Sequence, residues 1–213
     1  MAVLDPRSLR VYVVTSGGFG RGHREVAMAA IEGGATAVQL RAPELDRSRL
    51  QALAAELSLA CRSAGVLFVV NDAVEVAASL EGTGAHVGQD EDPAAVREAL
   101  GSDRVLGVSV ADAEQARAAV TAGADYLGVT VWSTSTKPDA VGGGPDLVRS
   151  VSEASGLPVV GIGGIGPGNA SQVLDAGAAG IAVISAVAAA KDPVAATRAL
   201  RILVDAHEMP GQP

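Results

Sequence analysis

Eight short apolar runs set the terms on which this chain can fold: VYVVT from Val11, TAVQLR from Thr36, LFVVN from Leu67, AHVGQ from Ala85, VLGVSV from Val105, DYLGVT from Asp125, PVVGIGG from Pro158 and GIAVIS from Gly180. Each is near-continuously apolar instead of alternating, the pattern of strands buried on both faces of a parallel sheet. Between them lie Ala- and Leu-rich segments of helical periodicity, such as SRLQALAAELSLACRSAG, DPAAVREALG, ADAEQARAAVTAG, NASQVLDAG and DPVAATRALRILVDA. Several open on Asp, Asn or an early Pro and close on Gly, the start and stop signals of helices. A Gly-Ala turn recurs at the helix-to-strand junctions near Gly34, Gly84, Gly123 and Gly177, at spacings too irregular for a solenoid. These units, with no linker or shift in composition, predict one α/β domain over residues 1–213, a (β/α)8 TIM barrel with a flexible tail from about residue 208. A doubly wound open sheet is the alternative.

Composition narrows what such a domain does. Hydrophobic residues make up 48% of the chain but aromatics only 2%, so Ala, Val, Leu and Ile must fill the interior, and stacking on bases is not the expected mode of work. A net charge of −8 argues against a nucleic-acid or anionic-membrane partner, both of which call for a basic face, and any anion site must be local. The single cysteine, Cys61, cannot form an intrachain disulfide and reads as a small core hydrophobe. No apolar stretch of membrane-spanning length escapes charge or glycine breaks, and MAVLDPRSLR lacks a signal-peptide core; a cytoplasmic protein is expected.

Barrels of this kind carry their active sites at the C-terminal strand ends, so those positions come first. Here they read Thr15-Ser16, Gln39-Leu40-Arg41, Asn71-Asp72, Gly88 to Asp92, Ser109, the loop WSTSTKPDAVGGGP from Trp132, GIGGIGPGN from Gly161, and Ile184-Ser185. Gly163 and Gly164, followed by a helix starting near Asn169, offer backbone N–H groups to an oxyanion, with Ile184 and Ser185 as the other half of a phosphate cup. Asp72 and the acidic stretch Asp90-Glu91-Asp92 end neighbouring strands, about 5 Å apart at their backbones, and such oxygen ligands suit Mg2+. Asp92 before Pro93 equally reads as a helix N-cap. Arg41 and Lys137 are the cations of this rim, and two cations plus Mg2+ would match a diphosphate. His23, His86 and His207 have no metal-ligand spacing, and His86 reads as a core or layer residue.

With these residues in place, the chain resembles the thiamine phosphate synthase family over nearly its whole length, through VYVVT, GGATAVQLR, VVNDAVEVA, GAHVGQDED, GVSV, GADYLGV, TSTKP, PVVGIGGI and GIAVISAV in that order. The resemblance implies a transferase that joins hydroxymethylpyrimidine diphosphate to a thiazole phosphate with Mg2+-assisted release of diphosphate. It assigns Gln39, Arg41, Asn71, Ser109 and Lys137 to the pyrimidine diphosphate, and Thr134, Thr136, Gly164, Ile184 and Ser185 to the thiazole phosphate. Arg41, Ser109 and Lys137 become the catalytic set, and Asp72 with Glu91 the Mg2+ ligands. The partners implied are small phosphorylated molecules, and self-association into a homo-oligomer is left open.

Three departures from the family pattern stand out. Pro43 occupies the lysine position of Q-x-R-x-K, Glu91 stands where an aspartate ligates the metal, and the segment before the threonine clamp reads Thr130-Val131-Trp132, a residue shorter. Arg21 or Arg24 in GGFGRGHRE is the candidate replacement for the missing lysine. Two alternative readings share the phosphate cup: a related thiazole tautomerase, whose histidine after strand 5 is Ala111 here, and a non-catalytic phosphate-ligand-binding protein, which Pro43 keeps open.

Overall fold

In the computed structural model, which describes residues 4–88, 91–132 and 142–207, eight strands close into a parallel barrel in sequence order. They are β1 (Val11–Val14), β2 (Ala37–Leu40), β3 (Leu67–Asn71), β4 (Thr83–Val87), β5 (Leu106–Val110), β6 (Tyr126–Thr130), β7 (Val159–Ile162) and β8 (Gly180–Val183). β8 returns to β1 with Val11 beside Ile181, so neither strand has an open edge. This excludes the doubly wound alternative. The expected tail from about residue 208 lies outside the described residues.

Around the barrel run α1 (His23–Glu32), α2 (Arg47–Ala64), α3 (Val74–Ser79), α4 (Pro93–Leu100), α5 (Ala113–Thr121), α6 (Gly144–Ser155), α7 (Ala170–Asp175), α8 (Ser185–Ala188) and α9 (Pro193–Asp205). The start signals act as expected. Asp92, Asp112 and Asp192 accept N–H bonds from Ala94, Gln115 and Ala195, each such cap stabilising its helix by about 1 kcal/mol. The junction glycines Gly34, Gly123 and Gly177 have the left-handed backbone these turns need. One junction differs: Gly82 makes the turn before β4, and Gly84 lies inside the strand, so β4 starts at Thr83, two residues earlier than its apolar run.

Alternation along each strand divides the core in two. Outward residues such as Val11, Val13, Val38, Leu40 and Leu127 pack beneath the helices. Inward residues form a separate cluster of Leu9, Tyr12, Val14, Ala37, Val69, Tyr126, Val160 and Ala182. Leu9 ends a short 3-10 helix (Pro6–Leu9) that closes the N-terminal end of the barrel. Cys61 is wholly buried on α2, and burial pushes its thiol up to about 12, the inert state expected of a core cysteine.

One partly buried polar stitch ties the α4 side together. Arg97 reaches the carbonyls of Gly101, Arg104 and Gly123 and pairs with Asp125 at 2.6 Å, while Asp125 also accepts the Leu106 N–H. A single guanidinium thereby fixes α4, the loop before β5 and the start of β6.

Candidate active site

The C-terminal strand ends surround one cavity, lined among others by Gln39, Arg41, Asn71, His86, Ser109, Thr130, Gly163, Gly164, Ile184 and Ser185. Its floor is a chain of hydrogen bonds across the barrel interior. Gln39 Nε2 donates to the Tyr12 hydroxyl at 2.8 Å, Tyr12 and Tyr126 hydroxyls lie 3.0 Å apart, Tyr126 meets His86 Nδ1 at 3.0 Å, and His86 Nε2 meets Ser109 Oγ at 2.9 Å.

Hydrogen counting gives the chain a direction. With Gln39 donating to Tyr12, the buried Tyr12 O–H has Tyr126 as its acceptor, Tyr126 donates to Nδ1, and Nε2–H donates to Ser109. The Ser109 O–H is then left to point a proton into the cavity. Burial raises both tyrosines well above their ordinary range, so both hydroxyls stay protonated.

Charge enters at the β2–β3 side. Arg41 follows the last residue of β2, is half-buried, and its guanidinium has no ion-pair or hydrogen-bond partner among the described residues. A half-buried cation that makes no ion pair among the described residues is suited to an incoming anion. Asn71 ends β3, and its Nδ2 donates to the carboxylate of Asp72. Asp72 is exposed and has a φ of 60°, a left-handed conformation that Asp adopts more readily than most residues.

The β7–β8 side offers backbone instead. Gly163 and Gly164 have φ values of 100° and 63°, and a Cβ on Gly163 would strike the Trp132 carbonyl oxygen. Asn169 braces this loop, donating to Gly164 O at 3.0 Å and accepting from Gly166 N at 2.9 Å. Ile184 and Ser185 face the same space, Ser185 opening α8.

Seven of the residues expected at the site thus share one cavity: Gln39, Arg41, Asn71, Ser109, Gly164, Ile184 and Ser185. Thr134, Thr136 and Lys137 lie outside the described residues, as does Asp90. Glu91 is exposed in the β4–α4 loop, and neither it nor Asp72 lines the cavity; Asp92 is engaged as the α4 cap. The proposed replacement for the missing lysine is overturned. Arg21 is tied to the carbonyls of Ala188 and Lys191 and to Glu25, and Arg24 pairs with Glu56 on α2, so neither cation lines the cavity.

Tyr12, Tyr126 and His86 were not among the site residues expected from sequence. His86 is a layer residue as read, and it also lines the cavity; its alternation inward on β4 was the available signal. His23, placed by its sequence in a glycine-rich loop, is the buried first residue of α1.

Comparison with known proteins places the barrel in a family. A family model described as thiamine monophosphate synthase matches residues 11–187. Thiamine-phosphate synthases of Chloroflexus aurantiacus and Moorella thermoacetica are 48% and 44% identical, each over 92% of this chain and 92% and 95% of their own lengths. A solved thiamine phosphate pyrophosphorylase from Pyrococcus furiosus superposes with a TM-score of 0.88 at 36% identity, covering 94% of this chain and 98% of that one.

Proposed function

This chain belongs to the thiamine monophosphate synthase family, a family of transferases, and from that premise we propose that its cavity joins hydroxymethylpyrimidine diphosphate to a thiazole phosphate and releases diphosphate. One observation carries the reading. A single cavity is lined by two features of different kinds suited to anions, the Arg41 guanidinium, which has no ion pair among the described residues, and a glycine-lined backbone cup at Gly163, Gly164 and Ser185. Two phosphorylated substrates need two such features facing one reaction space.

The chemistry asks little of acids or bases. The C–O bond to diphosphate breaks with its electron pair on oxygen, and the thiazole nitrogen supplies the pair for the new C–N bond. Arg41 stabilises charge as it builds on the leaving oxygen, an electrostatic contribution that grows in the transition state. Gln39, Asn71 and Ser109 orient the pyrimidine, with the Ser109 proton directed by the His86 chain. The glycine cup holds the thiazole phosphate so that its nitrogen faces the pyrimidine carbon.

The residues suit Mg2+. Asp72 presents an exposed carboxylate that makes no ion pair among the described residues, beside Asn71 at the end of β3, a hard oxygen donor with room for water and phosphate ligands. Asp72 and Glu91 would hold the ion, which when bound supplies Lewis-acid neutralisation of the diphosphate.

One observation favours the binding-protein alternative: Pro43 adds no charge beside Arg41, and neither Arg21 nor Arg24 replaces it there. The deciding experiment follows thiamine phosphate formation from the two substrates with and without Mg2+, in the wild type and in Asp72→Asn. Mg2+-dependent product that is lost in the variant is expected. Thiazole phosphate binding with no product under any metal would sink the synthase reading.

A further inference from the structure

The β1–β2 ladder ends in an unusual way. Its last backbone rung is Thr15 N–H to the Gln39 carbonyl at 2.9 Å, and the next hydrogen bond comes from a side chain: Arg41 N–H donates to Thr15 Oγ1 at 3.2 Å. Thr15 is wholly buried, and its hydroxyl lies 2.8 Å from His23 Nδ1. On its other side the His23 ring meets Glu44 Oε1 at 2.5 Å through Nε2.

The hydrogens close with one ring proton. Arg41 N–H donates to Thr15, the Thr15 O–H donates to Nδ1, and Nε2–H donates to the Glu44 carboxylate. Glu44 is delivered by the turn that Pro43 sits in, closed by Leu45 N–H to the Ala42 carbonyl at 3.1 Å. Gly17 completes the fit, because a Cβ there would come within 3.2 Å of Glu44 Oε1 and 3.4 Å of His23 Nε2. Both termini of this chain of bonds thus fall on one loop, at Arg41 and at Glu44, with the imidazole braced between that loop and the end of β1.

We infer that His23 is a positioning residue for the diphosphate-binding cation: through Thr15 on one side and Glu44 on the other, it fixes the loop that aims Arg41 at the mouth of the cavity. The inference rests on the reading of the site given above. His23 touches no substrate in this arrangement; it acts through the Arg41 backbone. Among the described residues the Arg41 guanidinium has no side-chain partner, so a fixed backbone is what limits the positions its rotatable side chain can reach.

The test is calorimetric, on the full chain, with inorganic diphosphate plus Mg2+ as one probe and thiazole phosphate as the other. His23→Ala and Thr15→Val are each expected to weaken diphosphate binding about ten-fold, the usual scale for losing a bond that orients a ligand group. Thiazole phosphate affinity should hold in both. Thr15→Ser, which keeps the hydroxyl, should rescue diphosphate affinity to within about two-fold, and the double variant His23→Ala/Thr15→Val should be no worse than the weaker single, since both break one chain. If His23→Ala does not fold, the Thr15 variants carry the test: Val keeps the size of Thr and loses the hydroxyl, and Ser keeps the hydroxyl and loses only a methyl at this buried position. Equal diphosphate binding by those two, or parallel losses for both probes, would overturn the inference. A wild-type chain that binds thiazole phosphate but no diphosphate would overturn the functional reading and this inference together.

Discussion

Gly107 on β5 pairs with Tyr126 on β6, and the glycine hydrogen leaves room for both the phenol and the His86 ring. A Cβ at Gly107 would lie 2.5 Å from His86 Nδ1 and closer still to the phenol ring. Gly107→Ala should therefore displace the floor of the cavity. Overpacking of this kind costs about 1–3 kcal/mol. Chemical denaturation should show that loss, and the variant should bind substrates more weakly, because Ser109 depends on the displaced His86.

Arg41 makes no ion pair among the described residues, so its removal orphans no carboxylate there, and folding should be little changed. Diphosphate affinity should fall at least about 30-fold in Arg41→Ala, the scale for truncating one member of a desolvated charge pair. Arg41→Lys should recover only part, because an ammonium cannot make the forked contact of a guanidinium. Calorimetry with inorganic diphosphate would measure both.

The Glu44 carboxyl is held below its ordinary range, chiefly because the His23 ring donates a hydrogen bond to it, with a smaller contribution from the nearby Arg41 charge. The sign follows: the folded state prefers ionised Glu44. Its stabilisation is complete above the ordinary value near 4.5 and drains as pH falls through the lower folded value. Stability of the wild type relative to Glu44→Gln should accordingly narrow in acid. Denaturant titrations of both proteins between neutral pH and pH of about 3.5 would show the convergence.

Asp72 separates two roles that one substitution would confuse. Its φ of 60° strains alanine more than asparagine. Asp72→Asn should unfold at the wild-type midpoint and lose the Mg2+-dependent formation of product, whereas Asp72→Ala should also lose about 1 kcal/mol of stability. Thermal melts of the two variants side by side would distinguish backbone strain from lost charge.

Arg97 is a test of the frame instead of the site. Removing its side chain strands Asp125 at 13% exposure with one backbone N–H for company. Arg97→Ala should cost about 3–5 kcal/mol, the penalty for breaking a buried pair from one side. Any protein that does fold should bind both phosphorylated ligands with wild-type affinity, as measured by calorimetry.

Much of this was legible because buried parallel strands announce themselves. LFVVN has the observed bounds of β3, and the rim residues follow from where each run stops. β4 was read short because Gly84 looks like a turn residue, while the conformation that needs glycine belongs to Gly82. The floor was illegible for a different reason: the Tyr12–Tyr126 bond joins residues 114 apart, and nothing local in the sequence marks either as a partner. Arg21 and Arg24 show the limit of counting charges. Both lie in the loop before α1 or in its first turn, but carbonyls on one side and Glu56 on the other decide where they point.

Among the described residues, the tyrosine pair and Leu9 fill the N-terminal end of the barrel, beneath the cavity at the C-terminal strand ends. The same packing that closes the barrel below thus places the hydrogen-bonded floor, and with it Ser109, at one fixed depth under the rim.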